Sequence, residues 1–247
     1  MFAYDPAVTE RFPAIRAGVV GAVDLVNGPS PAELVDQYRA EQAAALKRLE
    51  ETPISEMPSI RAWRRAFSAF GVKPTQHRVA AEALLRRLQK AGGIPSINTL
   101  VDIGNLVSIR YAVPVAVFDQ SGLTGSLSVR FATGTERFTD LGSTEEQHPE
   151  PGEVIFVDQN DDVCARRWCW RQSAQSATRA ETTAALITIE ALHDDAESDV
   201  EVATSELESL LELYQGQCRY TGQILSDSNP TATLHPYWIS TGHTSSS

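Results

Sequence analysis

The sequence is poor in the side chains that ordinarily carry metal or nucleophilic chemistry. Its three cysteines, Cys164, Cys169 and Cys218, show no C-x-x-C spacing, which excludes the usual zinc frameworks and points to reduced thiols. The five histidines, His77, His148, His193, His235 and His243, are scattered, with no ligand pair on one helix face. There is no Gly-x-Ser-x-Gly elbow, no P-loop and no Gly-x-Gly-x-x-Gly turn, so neither a metal nor a nucleotide cofactor is expected. A Ser-His-Asp triad assembled in space stays open but has no support in the pattern. No apolar run approaches the ~20 residues that cross a bilayer. The opening Met1-Phe2-Ala3-Tyr4-Asp5-Pro6 lacks a basic region followed by an apolar stretch, so the expected location is the cytoplasm, with no membrane partner.

What is present is a globular composition with segregated charge. Hydrophobic residues make up 42% of the 247, enough for a substantial core and too many for a disordered chain. The net charge of −11 argues against bulk affinity for nucleic acid, yet the bases are clustered. Residues 61–90 hold Arg61, Arg64, Arg65, Lys73, Arg78, Arg86, Arg87 and Lys90 against one acid, Glu82. Residues 164–180 hold Arg166, Arg167, Arg171 and Arg179 and no acid. Such segregation can build a local phosphate-attracting surface on an acidic body, and a solvated helix face explains the first cluster equally well.

Helical and strand periodicities separate along the chain. An apolar stretch from Gly18 to Val26 reads as a short strand. Gly28-Pro29 is a turn, and Ser30 and Pro31 begin a helix running to about Glu50. Helices are expected near 59–69, 75–90 and 98–110. Beyond them the period changes to two, giving strands at Val113–Phe118, Gly125–Phe131, Glu136–Thr139, Glu153–Val157 and Val163–Trp168. Ser176–Ala184 can start a helix, and Ala185–Leu192 reads as a buried strand or its continuation. Asp194–Asp199 is expected as an acidic loop, 201–214 as a helix, and the polar end from about Ser226 as poorly ordered. Helices followed by many strands indicate an α+β fold, a mixed β-sheet layered with helices.

The most informative stretch is Pro95-Ser96-Ile97-Asn98-Thr99-Leu100-Val101-Asp102-Ile103-Gly104-Asn105-Leu106-Val107-Ser108. Buried amides and hydroxyls cost about 1–3 kcal/mol each unless partnered, so polar residues among core aliphatics either form an internal network or line a pocket. Other phrases accompany it in order. These are Trp63-Arg64-Arg65-Ala66-Phe67, Phe70-Gly71-Val72-Lys73-Pro74, Ala83-Leu84-Leu85-Arg86-Arg87, Val113-Pro114-Val115 with Phe118-Asp119, Val129-Arg130-Phe131-Ala132, Pro151-Gly152-Glu153-Val154, and Arg166-Arg167-Trp168-Cys169-Trp170-Arg171-Gln172-Ser173. Together they resemble the B3/4 domain, the editing module of the bacterial phenylalanyl-tRNA synthetase beta chain, and especially its small freestanding relatives. The resemblance covers about residues 58–192. It divides the chain into an N-terminal extension over 1–57, a B3/4-like domain over 58–214 and a flexible tail over 215–247, and it implies the same mixed sheet layered with helices.

On a helix Asn98, Asp102 and Asn105 share one face, and Gly104 permits close approach of backbone or ligand. The resemblance places Asn105 at an editing-site asparagine. It also shows departures: Ala116 stands where the synthetase phrase has a pocket histidine, and Trp168 to Ala174 replaces a glycine-rich stretch with a pocket glutamate. On a strand, Trp168 and Trp170 would point together, filling core or forming a wall for substrate. The resemblance therefore implies hydrolysis of the ester of a mischarged aminoacyl-tRNA. Asn98 and Asn105 are expected to position water and substrate, with Gln172 and Ser173 as oxyanion donors. Ser96, Asp102, Ala116, Trp170 and Arg171 are expected around the amino-acid moiety, Asp102 reading also as a structural anchor. Arg64, Arg65, Lys73, Arg78, Arg87 and Arg167 are expected at the aminoacylated 3′ end of tRNA. A catalytically silent module binding tRNA or an amino acid is the alternative.

Overall fold

Residues 17–22 are so uniformly small and apolar that both faces of the segment are buried, and one sheet is built around them. The computed structural model describes residues 1–234. In chain order it contains β1 (Phe2–Tyr4), α1 (Pro6–Arg11), β2 (Arg16–Val23), α2 (Ala32–Glu51), α3 (Pro58–Ala69), α4 (Ala80–Ala91), α5 (Thr99–Tyr111), β3 (Val115–Asp119), β4 (Leu127–Phe131), β5 (Phe138–Thr139), β6 (Glu146–Gln147), β7 (Val154–Asp158), β8 (Val163–Arg166), β9 (Arg171–Gln172), β10 (Ala184–Ala191), α6 (Ala196–Gln215), β11 (Arg219–Leu225) and β12 (Thr231–Ala232).

The fold is α+β, with two principal sheets where the sequence reading expects one. The first has the order β12-β1-β4-β7-β8-β9, with β1 and β4 parallel and the other pairs antiparallel. The second, β11-β2-β10-β3, is antiparallel throughout. The sheets meet through aromatics: Phe118 of β3 lies 5.2 Å, centroid to centroid, from Phe156 of β7, which also touches Phe2. The opposite face of the second sheet carries α5 and α6, and α2 packs on α5. Close helix–strand approach needs a missing side chain at Gly18, where a β-carbon would collide with Thr204 Oγ1 of α6.

Several boundaries differ from the expected ones for local reasons. The segment after Ser176 forms no helix; it leads directly into β10, whose pairing with β2 and β3 leaves no doubt about its strand nature. The expected acidic loop 194–199 supplies the first turn of α6, where acids favour the positive helix end. Ser30 does not cap α2: its hydroxyl donates to Asp102 at 2.6 Å. The sheets also ignore the expected division into extension, domain and tail. β1 and β2 sit inside the two sheets, and β11 pairs with β2 from Arg219 to Leu225. Residues 235–247, part of the expected tail and the location of His235 and His243, lie outside the described residues. No described helix is long and apolar enough to cross a membrane.

Candidate functional site

Asp102 organises the start of α5. It is fully buried and accepts hydrogen bonds from Ser30 Oγ, from Ser96 Oγ and, at 3.0 Å, from the Ile97 amide. Ser96 and Asp102 thus form an anchor joining the loops that precede α2 and α5. Asn98 is the helix N-cap, its Oδ1 accepting from Val101 N at 3.0 Å. Asn27 accepts from Leu100 N at 3.1 Å and donates to Arg179 O at 2.7 Å. With Thr99 N bonded to Gly28 O and Asp102 N to Asn98 O, the orphan amides of the first turn are satisfied. The end of α5 is therefore closed to a developing oxyanion.

Beside this turn lies a cavity of about 300 Å³. Asn98, Gly104 and Asn105 of the α5 segment, Val115 and Val117 of β3, and Gln172 of β9 line it, with Ile97, Val101, Leu141, Ala177 and Thr178 completing the wall. A β-carbon on Gly104 would lie 3.2 Å from Val117 and 3.4 Å from Val115, so the glycine lets α5 seat against the strand that forms the floor. None of these lining residues ionises. Asn105 also neighbours the buried Tyr38 hydroxyl, which has no hydrogen bond of normal geometry. Burial and then the Asp102 carboxylate push that phenol well above its usual range, while the Asn105 amide opposes them.

The other expected site residues divide plainly. Gln172 lines the cavity, but its Nε2 already donates to Val117 O and Ser176 O, both at 2.8 Å. Its amide protons are spent, which corrects its expected role as an oxyanion donor; it offers the cavity an acceptor, Oε1. Ser173 is buried with Ser176, Oγ to Oγ 2.9 Å, and is not in the wall. Ala116 points away from the cavity, because Val115 and Val117 on either side face it. It shares the inter-sheet face of β3 with Phe118.

Trp168 and Trp170 are not on one strand. β8 ends at Arg166, and Arg167 and Trp168 adopt left-handed φ of 45° and 60°. That turn drives Trp168 into the core against Trp63, 5.0 Å between centroids, while Trp170 stays half-buried at the edge of the core. The Arg167 and Arg171 guanidiniums lie 4.5 and 4.7 Å from the Trp170 ring, with His77 at 4.7 Å. Arg171 also pairs with Asp140. Neither Trp170 nor Arg171 lines the cavity.

The basic clusters are partly consumed inside the protein. Glu82, fully buried, accepts from Arg64 at 3.0 Å twice and from Arg86 at 2.8 Å, with Arg78 at 3.7 Å. Glu153 receives Arg166 and, at 3.2 Å, Arg167. Burial, outweighing Glu153, lowers the pKa of Arg167. The His77 imidazole is lowered by burial and then by Arg167. Arg64, Arg78 and Arg167 are thus held by carboxylates, whereas Arg65, Lys73 and Arg87 are exposed. Arg61 and Arg65 border an open groove along α3 with Ser55, Ser68 and Thr75. Asn27, Leu141, Ala177 and Thr178 carry no motif, and sequence reasoning missed them. Only the side-chain reach of Asn27, next to the Gly28-Pro29 turn, hinted at a loop-bridging role.

Comparison with known proteins gives a consistent set of likenesses. The model of the B3/4 domain matches residues 62–205. The phenylalanine–tRNA ligase beta subunit of Shewanella oneidensis is 33% identical over 87 residues, covering 35% of this chain and 11% of that one. The beta subunit from Staphylococcus saprophyticus is 39% identical over 90 residues, 36% of this chain and 11% of its own. That from Neisseria gonorrhoeae is 46% identical over 56 residues, 23% and 7% respectively. The chain therefore spans about a tenth of the length of these relatives or less. An N-terminal fragment of the phenylalanyl-tRNA synthetase beta-subunit from Pyrococcus horikoshii superposes loosely, with TM-score 0.43 and 12% identity over 91% of this chain and 50% of that one.

Proposed function

The chain belongs to the B3/4 domain family, and from that premise we propose that it hydrolyses the ester of mischarged aminoacyl-tRNA. The observation that carries this reading is the uncharged cavity beside α5. It has the size of an amino-acid moiety, apolar walls from Val101, Val115, Val117 and Ala177, and polar atoms from Asn98, Asn105, Gln172 and Thr178. An aminoacyl ester is already activated, so a site need only orient water and stabilise a tetrahedral oxyanion. Asn98 through its Nδ2, Asn105 and Thr178 are the side chains left to do so, since the cap bond uses only Asn98 Oδ1, Gln172 has spent its protons and Ser173 is elsewhere. Gln172 Oε1 can accept from the attacking water or from the substrate's amino group. Discrimination by binding alone yields only ~1–3 kcal/mol per methylene, which is the reason a second, correcting pocket is useful. The tRNA backbone would lie along the α3 groove on Arg61 and Arg65, with Lys73 and Arg87 adding positive potential.

The shortage of uncommitted donors favours one second reading, a module that binds tRNA or an amino acid without turnover. Incubation with a panel of noncognate aminoacyl-tRNAs separates the two. Release of at least one amino acid faster than in buffer, with the cognate pair spared, supports the hydrolase; binding without release across the panel supports the silent module.

A further inference from the structure

A second cavity, of about 250 Å³, opens at the other end of α5. Its floor is apolar, formed by Ala45, Met57, Leu85 and Ile109, and its rim is charged. The two rim guanidiniums are already neutralised. Arg48 donates to Glu41 at 2.8 Å and to Ile109 O at 3.2 Å; Arg110 donates to Glu41 at 2.7 Å and pairs with Glu206. The acids opposite them are less well served. Asp199 meets His193 Nε2 at 2.8 Å. The Asp195 carboxylate, at the start of α6, caps nothing. The last turn of α5, Ile109 to Ala112, brings the negative end of one helix to the cavity and the first turn of α6 the positive end of another. The two helix ends offset, and the carboxylates set the sign.

Two lining residues also carry buried polar atoms with no partner, Ser59 Oγ and His193 Nδ1. A proton on His193 Nε2, donated to Asp199, makes Nδ1 an acceptor. Unpaired groups of this kind are rare in folded proteins and ask for a polar guest. The cavity thus offers acceptors, a net negative rim and a greasy floor. We infer that this cavity binds a small organic cation, a primary ammonium on an apolar body, with its N–H groups directed to Asp195, Asp199 and His193. A carboxylate on the same molecule would add little, because Arg48 and Arg110 are committed to Glu41 and Glu206. The inference stands whether or not the chain deacylates tRNA.

The test is a calorimetric titration of the full chain with leucinamide, leucine and N-acetylleucine. Leucinamide should bind at least as tightly as leucine, and N-acetylleucine should not bind. Asp195→Asn, at an exposed position, should weaken leucinamide about tenfold, the loss of one charge-assisted contact. Ser59→Ala should weaken it without lowering the melting temperature. Asn105→Ala should leave the Asp195-dependent binding unchanged, which separates it from any occupancy of the first cavity. N-acetylleucine binding as tightly as the amide would overturn the inference. So would an amide affinity that responds to Asn105→Ala and ignores Asp195→Asn, or the lack of saturable binding by any of the three.

Discussion

Replacing Glu190 by Gln should flatten the pH dependence of stability between about pH 4.5 and 7. Glu190 projects from β10 into the space between the sheets, where it is fully buried. One of its oxygens accepts from both the Tyr4 hydroxyl and, at 2.8 Å, Trp168 Nε1. Burial raises the carboxyl from 4.5 to about 7, outweighing the two hydrogen bonds that lower it. The folded state therefore holds a proton that the unfolded chain has released. Its contribution is fully present below the unfolded value near 4.5 and is lost as pH rises through about 7. A gap of that size corresponds to about 3 kcal/mol at 1.36 kcal/mol per unit. Gln keeps an oxygen for Tyr4 and Trp168 and cannot ionise. Urea unfolding of both proteins at pH 5, 6, 7 and 8 should show the wild type losing about 3 kcal/mol relative to Glu190→Gln, or roughly 6–12 °C in Tm. Stability curves that stay parallel over this range would refute the buried, proton-retaining carboxyl.

Asn105→Ala should lower kcat/KM for deacylation about tenfold to a thousandfold; full specific activity per folded molecule would make Asn105 structural. Because no ionisable residue lines the first cavity, the rate against pH should show no inflection from a carboxylate or histidine of the wall, and a bell-shaped profile would point to a base outside it. Arg61→Glu with Arg65→Glu should weaken tRNA binding and reduce its salt slope by about one per lost phosphate contact, measured by filter binding over a salt series. Glu82→Gln should instead destabilise the fold, by about 3 kcal/mol or less given its partly exposed arginine partners, as read by denaturant unfolding.

The legible part of this protein was the part governed by local pattern. The aliphatic spacing of Leu100, Ile103, Leu106 and Val107 marks α5 to within a residue, and alternation marks β4 and β7. Asn98, Gly104 and Asn105 of the polar run line one cavity together with Gln172 from the later Trp-Arg-Gln-Ser phrase. Long-range geometry was not legible. Nothing local in Asp102 says that Ser30, 72 residues away, will donate to it. Nothing in the Trp-Cys-Trp phrase reveals two left-handed residues that send Trp168 into the core and leave Trp170 at its edge. The arginines of α3 and α4 read as free charge because the burial of Glu82 depends on how those helices pack. Short β1 and β12 escape periodicity altogether, since three and two residues carry no pattern.

The placing of β2 between β10 and β11 has a kinetic consequence. During synthesis this strand emerges before either of its partners, with unpaired N–H and C=O groups on both edges, and those partners begin at Ala184 and Arg219. No neighbour in sequence can satisfy it. The chain must therefore carry an adhesive, aliphatic ribbon until β10 and β11 have been made and the sheet can close. Folding should be slow and late, and truncation before Leu225 should leave β2 with an open edge that recruits other chains.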